Sequence, residues 1–209
     1  TEAVISKIAG IPVAFQNGIG GLELIKKRLG VGYGAVVTYG ITRSNNVAEV
    51  KGIGEIILPS SVGEVADVLK AGGANIRVVD NIEPYRWLKV IVNAAINPIT
   101  AILRARNGVI LEDPNAKALA EAVVKESISV VNRLNIKLPS DPLDETLRVA
   151  WATRNNYSSM LQDIINHRKT EVDYINGAIV IKGRETGVET PINYLFWLLI
   201  KALEGSIYK

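Results

Sequence analysis

The chain has 209 residues, 48% of them hydrophobic and 22% charged, and 24 lysines and arginines against 21 acids leave a net charge of +3. That size and balance suit one large or two small domains with a real core, and the scattered charges offer no basic tract for nucleic acid. The absence of cysteine excludes disulfides, thiolate metal sites and cysteine catalysis; the single histidine, His167, rules out a histidine-rich metal centre and makes Ser-His-Asp catalysis improbable.

Taken in chain order, the first 80 residues alternate short strand-like and helix-like pieces. Residues 11–16 read as a buried strand ending at Asn17-Gly18, and 22–29 as a short helix. Residues 36–41 are apolar and β-branched, and 47–58 continue as extended chain broken by Gly52 and Gly54. A helix over 62–71 stops at Gly72-Gly73, and 76–79 form a last strand. The run Gly30-Val-Gly32-Tyr-Gly34-Ala35 fits G-x-G-x-x-A literally, but it follows a helix and precedes a strand. The phosphate cradle needs the opposite order, so this run reads as a plain loop.

From Glu83 onward the pattern is helical, with a domain boundary expected at residues 80–84. A first helix reaches Pro98, where the proline must disturb it, with continuation toward Leu103 open. Asn107-Gly108 reads as a turn, Pro114 opens a long helix to Leu134, and a loop at 139–142 leads to a short helix over 143–153. A single long amphipathic helix is expected over 158–186, then Gly187 and Pro191 before a last helix over 193–203. The most apolar run, 192–203, is too short for a bilayer and carries Asn193 and Lys201. The chain opens at Thr1 without a methionine and almost in mid-sheet, as the remainder of something longer would.

Lys89, Asn93 and Asn97 are the most informative residues. Positions four apart on a helix advance about 40° around the axis, so the three form one polar stripe within an apolar coat of Trp87, Leu88, Val90, Ile91, Val92 and Ile96. An ammonium and two amides in such a coat are costly unless they face a polar cavity, and a partly dry lysine has its pKa lowered toward the range of a general acid. On spacing alone, a lysine snorkelling its head to water fits as well as a substrate-facing helix.

With these pieces in place the sequence resembles ketopantoate reductase. Gln16-Asn17-Gly18-Ile-Gly20 is similar to the family's Q-N-G-x-G turn, and Lys89, Asn93, Asn97 and Pro98 match its K-x-x-x-N-x-x-x-N-P segment. Asn107 falls where the family has a further asparagine. Asn156-Tyr-Ser158-Ser159-Met-Leu-Gln162-Asp163 is similar to N-x-S-S-M-x-Q-D, and Arg168-Lys-Thr170-Glu171-Val-Asp173-Tyr-Ile-Asn176-Gly177 to R-x-T-E-I-D-x-I-N-G.

The resemblance implies an α/β partial Rossmann-like domain over 1–82, the second half of an NADP-binding fold, followed by an all-α domain over 83–209 like the C-terminal domain of 6-phosphogluconate dehydrogenase. The family opens with a glycine-motif half; at about 30 residues per βαβ step, roughly 80 residues of it are expected to be missing here. The implied activity is NADPH-dependent reduction of ketopantoate to (R)-pantoate in pantothenate and coenzyme A synthesis, by a cytoplasmic enzyme with no nucleic-acid or membrane partner, no metal, and homodimer formation left open.

In that scheme Lys89 is the general acid. Asn93 and Asn97 hold the substrate's hydroxyl and carbonyl groups, Asn107 assists, and Asn156 and Ser159 grip its carboxylate, although Ser159 taken alone reads as a helix cap. Glu171 serves catalysis, toward the nicotinamide ribose or Lys89, its alternative being an exposed helix charge paired with Lys169 or Arg168. On one continuous helix it would lie about 18 Å from Ser159, so the two would bracket an elongated ligand pair. Asn17 meets the nicotinamide, its alternative being a left-handed turn residue before glycine, and Ile41 offers a backbone contact to the cofactor. Asp173, Asn176 and Gly177 read as packing positions. Two other readings are another β-hydroxyacid or opine-type dehydrogenase, and a catalytically silent helical module that binds ligand or dimerises.

Overall fold

A computed structural model describes residues 2–44, 47–52 and 54–207, with the side chains of 2, 3, 41–44, 51 and 207 outside the description. The chain divides into two compact units, Thr1–Arg86 and Trp87–Lys209. The first is α/β. A short helix α1 (Glu2–Ile5) precedes β1 (Val13–Ala14), helix α2 (Gly21–Leu29) and β2 (Tyr33–Gly34), the two strands pairing parallel. Directly after β2, β3 (Val36–Val37) pairs antiparallel with β6 (Ile56–Pro59); β6 pairs parallel with β7 (Ile76–Val79), and helix α3 (Gly63–Ala71) connects them. Strands β4 (Gly40–Ser44) and β5 (Val47–Gly52) form an antiparallel hairpin. Successive side chains of β6 point to opposite faces: Ile57 packs with Val36 and Ile82, Leu58 with Ala35 and Ala66.

Two strands differ from the sequence expectation. The strand over 11–16 shrinks to β1, and Ile11 and Phe15 are exposed. Pro12 has no N–H to donate and contributes only its carbonyl, to Tyr33 N at 3.0 Å. The apolar run over 36–41 splits between β3 and β4. At the split, Thr38 N donates to Glu55 O (2.9 Å), and Gly54 lies so close to the Thr38–Tyr39 backbone that a Cβ there would collide with it. The glycine run Gly30 to Ala35 is a helix cap followed by a strand: Gly30 has φ 76° and donates to Lys26 O.

The second unit is all helix: α4 (Glu83–Leu103, with the division falling in its first turn), α5 (Val109–Glu112), α6 (Pro114–Arg133), α7 (Pro142–Ala152), α8 (Ser159–Ile165), α9 (Asn176–Thr186) and α10 (Pro191–Ile207). Asp-Pro pairs start α6 and α7. The Asp113 carboxylate accepts from Asn115 N and Ala116 N, and Asp141 from Leu143 N and Asp144 N, while each proline occupies the first helical position, where no N–H is needed. Helix α6 packs against α5, α7, α9 and α10 around buried Val123, Val124, Ile179 and Ile200. No helix among the described residues is long and apolar enough to cross a membrane.

The single helix expected over 158–186 is instead α8, a 3-10 turn (Val172–Tyr174) and α9. Helix α8 ends because His167 turns left-handed (φ 53°) and Arg168 N donates back to Asp163 O at 2.8 Å. Amphipathic spacing carried across this break because its exposed residues are polar and short in number.

Pro98 lies inside α4 without ending it. A proline removes the bond to the carbonyl four residues back, here Ala94. That carbonyl accepts from Asn176 Nδ2 (3.3 Å) instead, and the same amide donates to Asn193 Oδ1 (3.1 Å). Asn193 Nδ2 in turn donates to Glu126 Oε2 (2.9 Å), whose carboxylate also accepts Ile192 N and Asn193 N at the start of α10. Asn176 and Asn193 are fully buried, so this polar chain ties α4, α9, α10 and α6 together in the interior.

Replacing Asn176 by Ala strands two buried acceptors and is expected to destabilise the protein by about 2–4 kcal/mol. Pro98→Ala supplies an N–H to Ala94 and should shrink that cost by about 1 kcal/mol in a double-mutant cycle followed by urea unfolding. Strict additivity would show that the Asn176 bond does not carry α4 past its proline.

Candidate active site

In the second unit α4 presents Lys89, Asn93 and Asn97 on one stripe, flanked by buried Trp87, Val90, Ile91, Val92 and Ile96. Lys89 and Asn93 are half-buried and Asn97 is buried. Burial pushes the Lys89 ammonium down from 10.5 to about 8, against the upward pull of the Glu171 carboxylate. A lysine at that value is charged near neutrality and still gives up its proton readily.

Glu171 reaches Lys89 because the helix breaks. It opens the 3-10 turn, past the left-handed His167, in a stretch with its own fold-back instead of one straight rod. The 18 Å helical spacing between Ser159 and Glu171 therefore does not apply. Glu171 also acts on Asp163, which burial pushes up against the nearby Arg168, with Glu171 and Glu204 adding to the rise.

The cap of α8 is Ser158, whose hydroxyl accepts from Leu161 N (3.2 Å) and hydrogen-bonds Thr100 Oγ1 (2.7 Å). Thr100 also bonds the carbonyls of Ile96 and Asn97. Ser159 is the first helical residue and is exposed, so its hydroxyl is not the cap. Asn107 and Asn156 meet through Asn107 N and Asn156 O at 3.0 Å. Asn107 Nδ2 donates to Thr153 Oγ1, and its buried Oδ1 has no partner among the described residues.

The first unit holds Asn17, half-buried at the end of β1, beside Gly18 (φ 86°) and Gly20 (φ 122°). Asn17 itself does not take the left-handed conformation; the glycines do. It lines a small cavity with Ala14, Gln16, Gly21, Gly34 and Arg86. The buried Arg86 bonds Glu23 (2.9 Å) and Glu83 (2.7 Å), and Glu23 caps Gly20 N, so the guanidinium here is already paired. Ile41 lies in β4 with its side chain outside the described residues.

Sequence reasoning missed Ser158, Thr100 and Arg86. Only Ser158 carried a local signal, a serine two residues before an apolar pair. Asp173, Asn176 and Gly177 do pack: Asp173 accepts from Trp197 Nε1 (2.8 Å), and a Cβ on Gly177 would meet the Trp197 ring at 3.0 Å.

Residues 81–204 match the family model described as ketopantoate reductase PanE/ApbA C terminal. The 2-dehydropantoate 2-reductase of Pyrobaculum aerophilum is 50% identical over 205 residues, 98% of this chain and 74% of that protein. The crystal structure of a PanE/ApbA family ketopantoate reductase from Ralstonia eutropha superposes with a TM-score of 0.90 at 25% identity, covering 100% of this chain and 72% of the other. D-mandelate dehydrogenase bound to NADH and anilino(oxo)acetate superposes at 0.88 and 27% identity, with 100% and 72% covered.

If Glu171 is the charge that sustains the Lys89 ammonium, Glu171→Gln lowers the Lys89 pKa below about 8. Carbon-13 NMR titration of the lysine Cε reads this directly, and an unmoved or rising value would remove Glu171 from the pair.

Proposed function

The chain belongs to the ketopantoate reductase family, and from that premise we propose that it reduces 2-dehydropantoate to pantoate with NADPH, Lys89 acting as general acid. The observation that carries this reading is the half-buried ammonium of Lys89 on a polar stripe flanked by apolar residues, its pKa brought to about 8 and kept from falling further by Glu171. NADPH, when bound, supplies the hydride that reaches the keto carbon.

As negative charge grows on the ketone oxygen, the Lys89 ammonium stabilises it and passes it a proton. Asn93 and Asn97, one and two turns on, hold the neighbouring hydroxyl and carbonyl groups, since their stripe is the polar line of α4. Ser159 and Asn156 take the carboxylate with neutral donors, and Asn107, whose N–H bonds the Asn156 carbonyl, assists them. Glu171 steadies Lys89 and meets the nicotinamide ribose. Asn17 and the glycine backbone around it suit the nicotinamide end of the cofactor, because Gly18 and Gly20 expose main chain at the end of a strand, where doubly wound sheets take ligands. In this reading Thr1–Arg86 is the second half of the cofactor domain and Trp87–Lys209 the substrate domain, and Ile41 adds a backbone contact to the cofactor. A cytoplasmic setting, where a diffusing nicotinamide cofactor is met, belongs to the same proposal.

D-mandelate dehydrogenase shares the fold, so substrate choice rests on the side chains and not on the architecture. The stripe of one ammonium and two amides favours a keto acid that carries a further hydroxyl. A homodimer is also proposed. Helix α10 leaves Leu195, Leu198 and Leu199 about half exposed on one face, and a two-fold axis would let that face cover its own copy.

Lys89→Ala should lower kcat by about 10²–10⁴-fold with NADPH affinity nearly unchanged, because the ammonium works at the transition state. Wild-type turnover should decline as pH rises through about 8, where the ammonium is lost. Steady-state kinetics and fluorescence titration check both, and near-normal turnover in the variant defeats the assignment. Leu198→Arg should convert a dimer to a monomer in sedimentation equilibrium; a monomeric wild type removes the dimer.

A further inference from the structure

Glu204, on the last turns of α10, is 5% exposed yet fully engaged. Its Oε1 accepts both the backbone N–H and the hydroxyl of Thr170, each at 2.7 Å. Its Oε2 pairs with Lys201 Nζ at 2.8 Å. Burial raises this carboxyl, but Lys201 and the Thr170 bonds outweigh it and hold Glu204 below the usual range, so it stays a carboxylate. Three residues past Thr170, Asp173 is held by the same helix, through Trp197 Nε1 at 2.8 Å and Lys201 Nζ at 3.2 Å. Between the two grips Val172 is fully buried, and its N–H bonds back to the Thr170 hydroxyl. Glu171 lies between the two grips, half-buried. Its carboxylate acts on Lys89 and Asp163.

A buried carboxylate is a costly way to pack a helix against a loop, and an apolar pair of the same volume would often hold better. What the carboxylate adds is direction: two convergent donors from one residue fix that residue's backbone as well as its side chain. We propose that Glu204 is a positioning residue, which holds Glu171 toward Lys89 by gripping Thr170. The inference deepens the reductase reading above and rests on it. Nothing in Glu204 touches the reacting atoms.

The test uses the full-length enzyme and reads the Lys89 pKa by carbon-13 NMR together with kcat and KM. The charged groups that bear on the readout are Glu171, which acts on Lys89 and on Asp163, then Arg168 and Glu204, which also act on Asp163, and Lys201, which pairs with Glu204. Glu171→Gln sets the reference shift. Glu204→Ala should shift the Lys89 pKa in the same downward direction by about half a unit or more and lower kcat by about ten- to a hundredfold with a smaller change in KM. Glu204→Gln keeps an oxygen for both Thr170 donors and should restore most of each. Where Glu204→Ala does not fold, Thr170→Val, which removes the hydroxyl's bonds to Glu204 and from Val172 N while keeping the backbone N–H grip, should move Lys89 the same way. A folded Glu204→Ala or Thr170→Val with Lys89 at its wild-type value, while Glu171→Gln shifts it, overturns the positioning role and leaves the reductase reading standing. If Glu171→Gln shifts nothing, the role of Glu171 falls, and this inference falls with it.

Discussion

The amide of Asn176 answering the carbonyl of Ala94 is the contact on which the helical unit depends. Pro98 would otherwise leave a buried acceptor unpaired in the middle of α4, at a cost of about 1–3 kcal/mol, or kink the helix just where Asn97 and Thr100 need a regular pitch. With the borrowed donor α4 runs on unbroken past Pro98, and Thr100, two residues further, bonds Ser158. The same amide leads through Asn193 to Glu126 at the head of α10. Both acceptors of the Asn176 amide are oxygens, so its orientation is settled by chemistry.

The second determinant is a break. A continuous helix from Ser158 to Thr186 would keep Ser159 and Glu171 on a rigid rod; the left-handed turn at His167 and the 3-10 segment after it bring Glu171 to Lys89. The polar residues of the turn face solvent, while Thr170 and Asp173 tie it to α10. The surroundings of Lys89 in this unit thus come from one helix that runs through a proline and another that stops without one.

Much of this was legible in the residues. The alternation of strand and helix up to Val79, the proline start of α6, and the stripe on α4 follow from local chemistry that neighbouring residues express. The reversed context of Gly30 to Ala35 was legible too, because a cap glycine and a phosphate cradle differ in what precedes them. What was not legible needs partners far along the chain. The halt at His167 depends on a backbone bond to Asp163 and on Glu204 taking up Thr170, and amphipathic spacing does not encode either. The passage of α4 through Pro98 depends on Asn176, whose packing role was readable while its particular acceptor was not. The exposure of Ile11 and Phe15 escaped notice because apolar residues around a proline look like a strand whether or not anything pairs with them.

Neighbouring serines at the head of α8 divide two duties that one residue often performs. Ser158 is sunk into the protein and closes the helix, and Ser159 stands outside with its hydroxyl uncommitted to that task. Substitutions at the outer position can drift without unravelling the element that carries it. The outer serine is thereby open to replacement while the buried one holds the start of the helix in place.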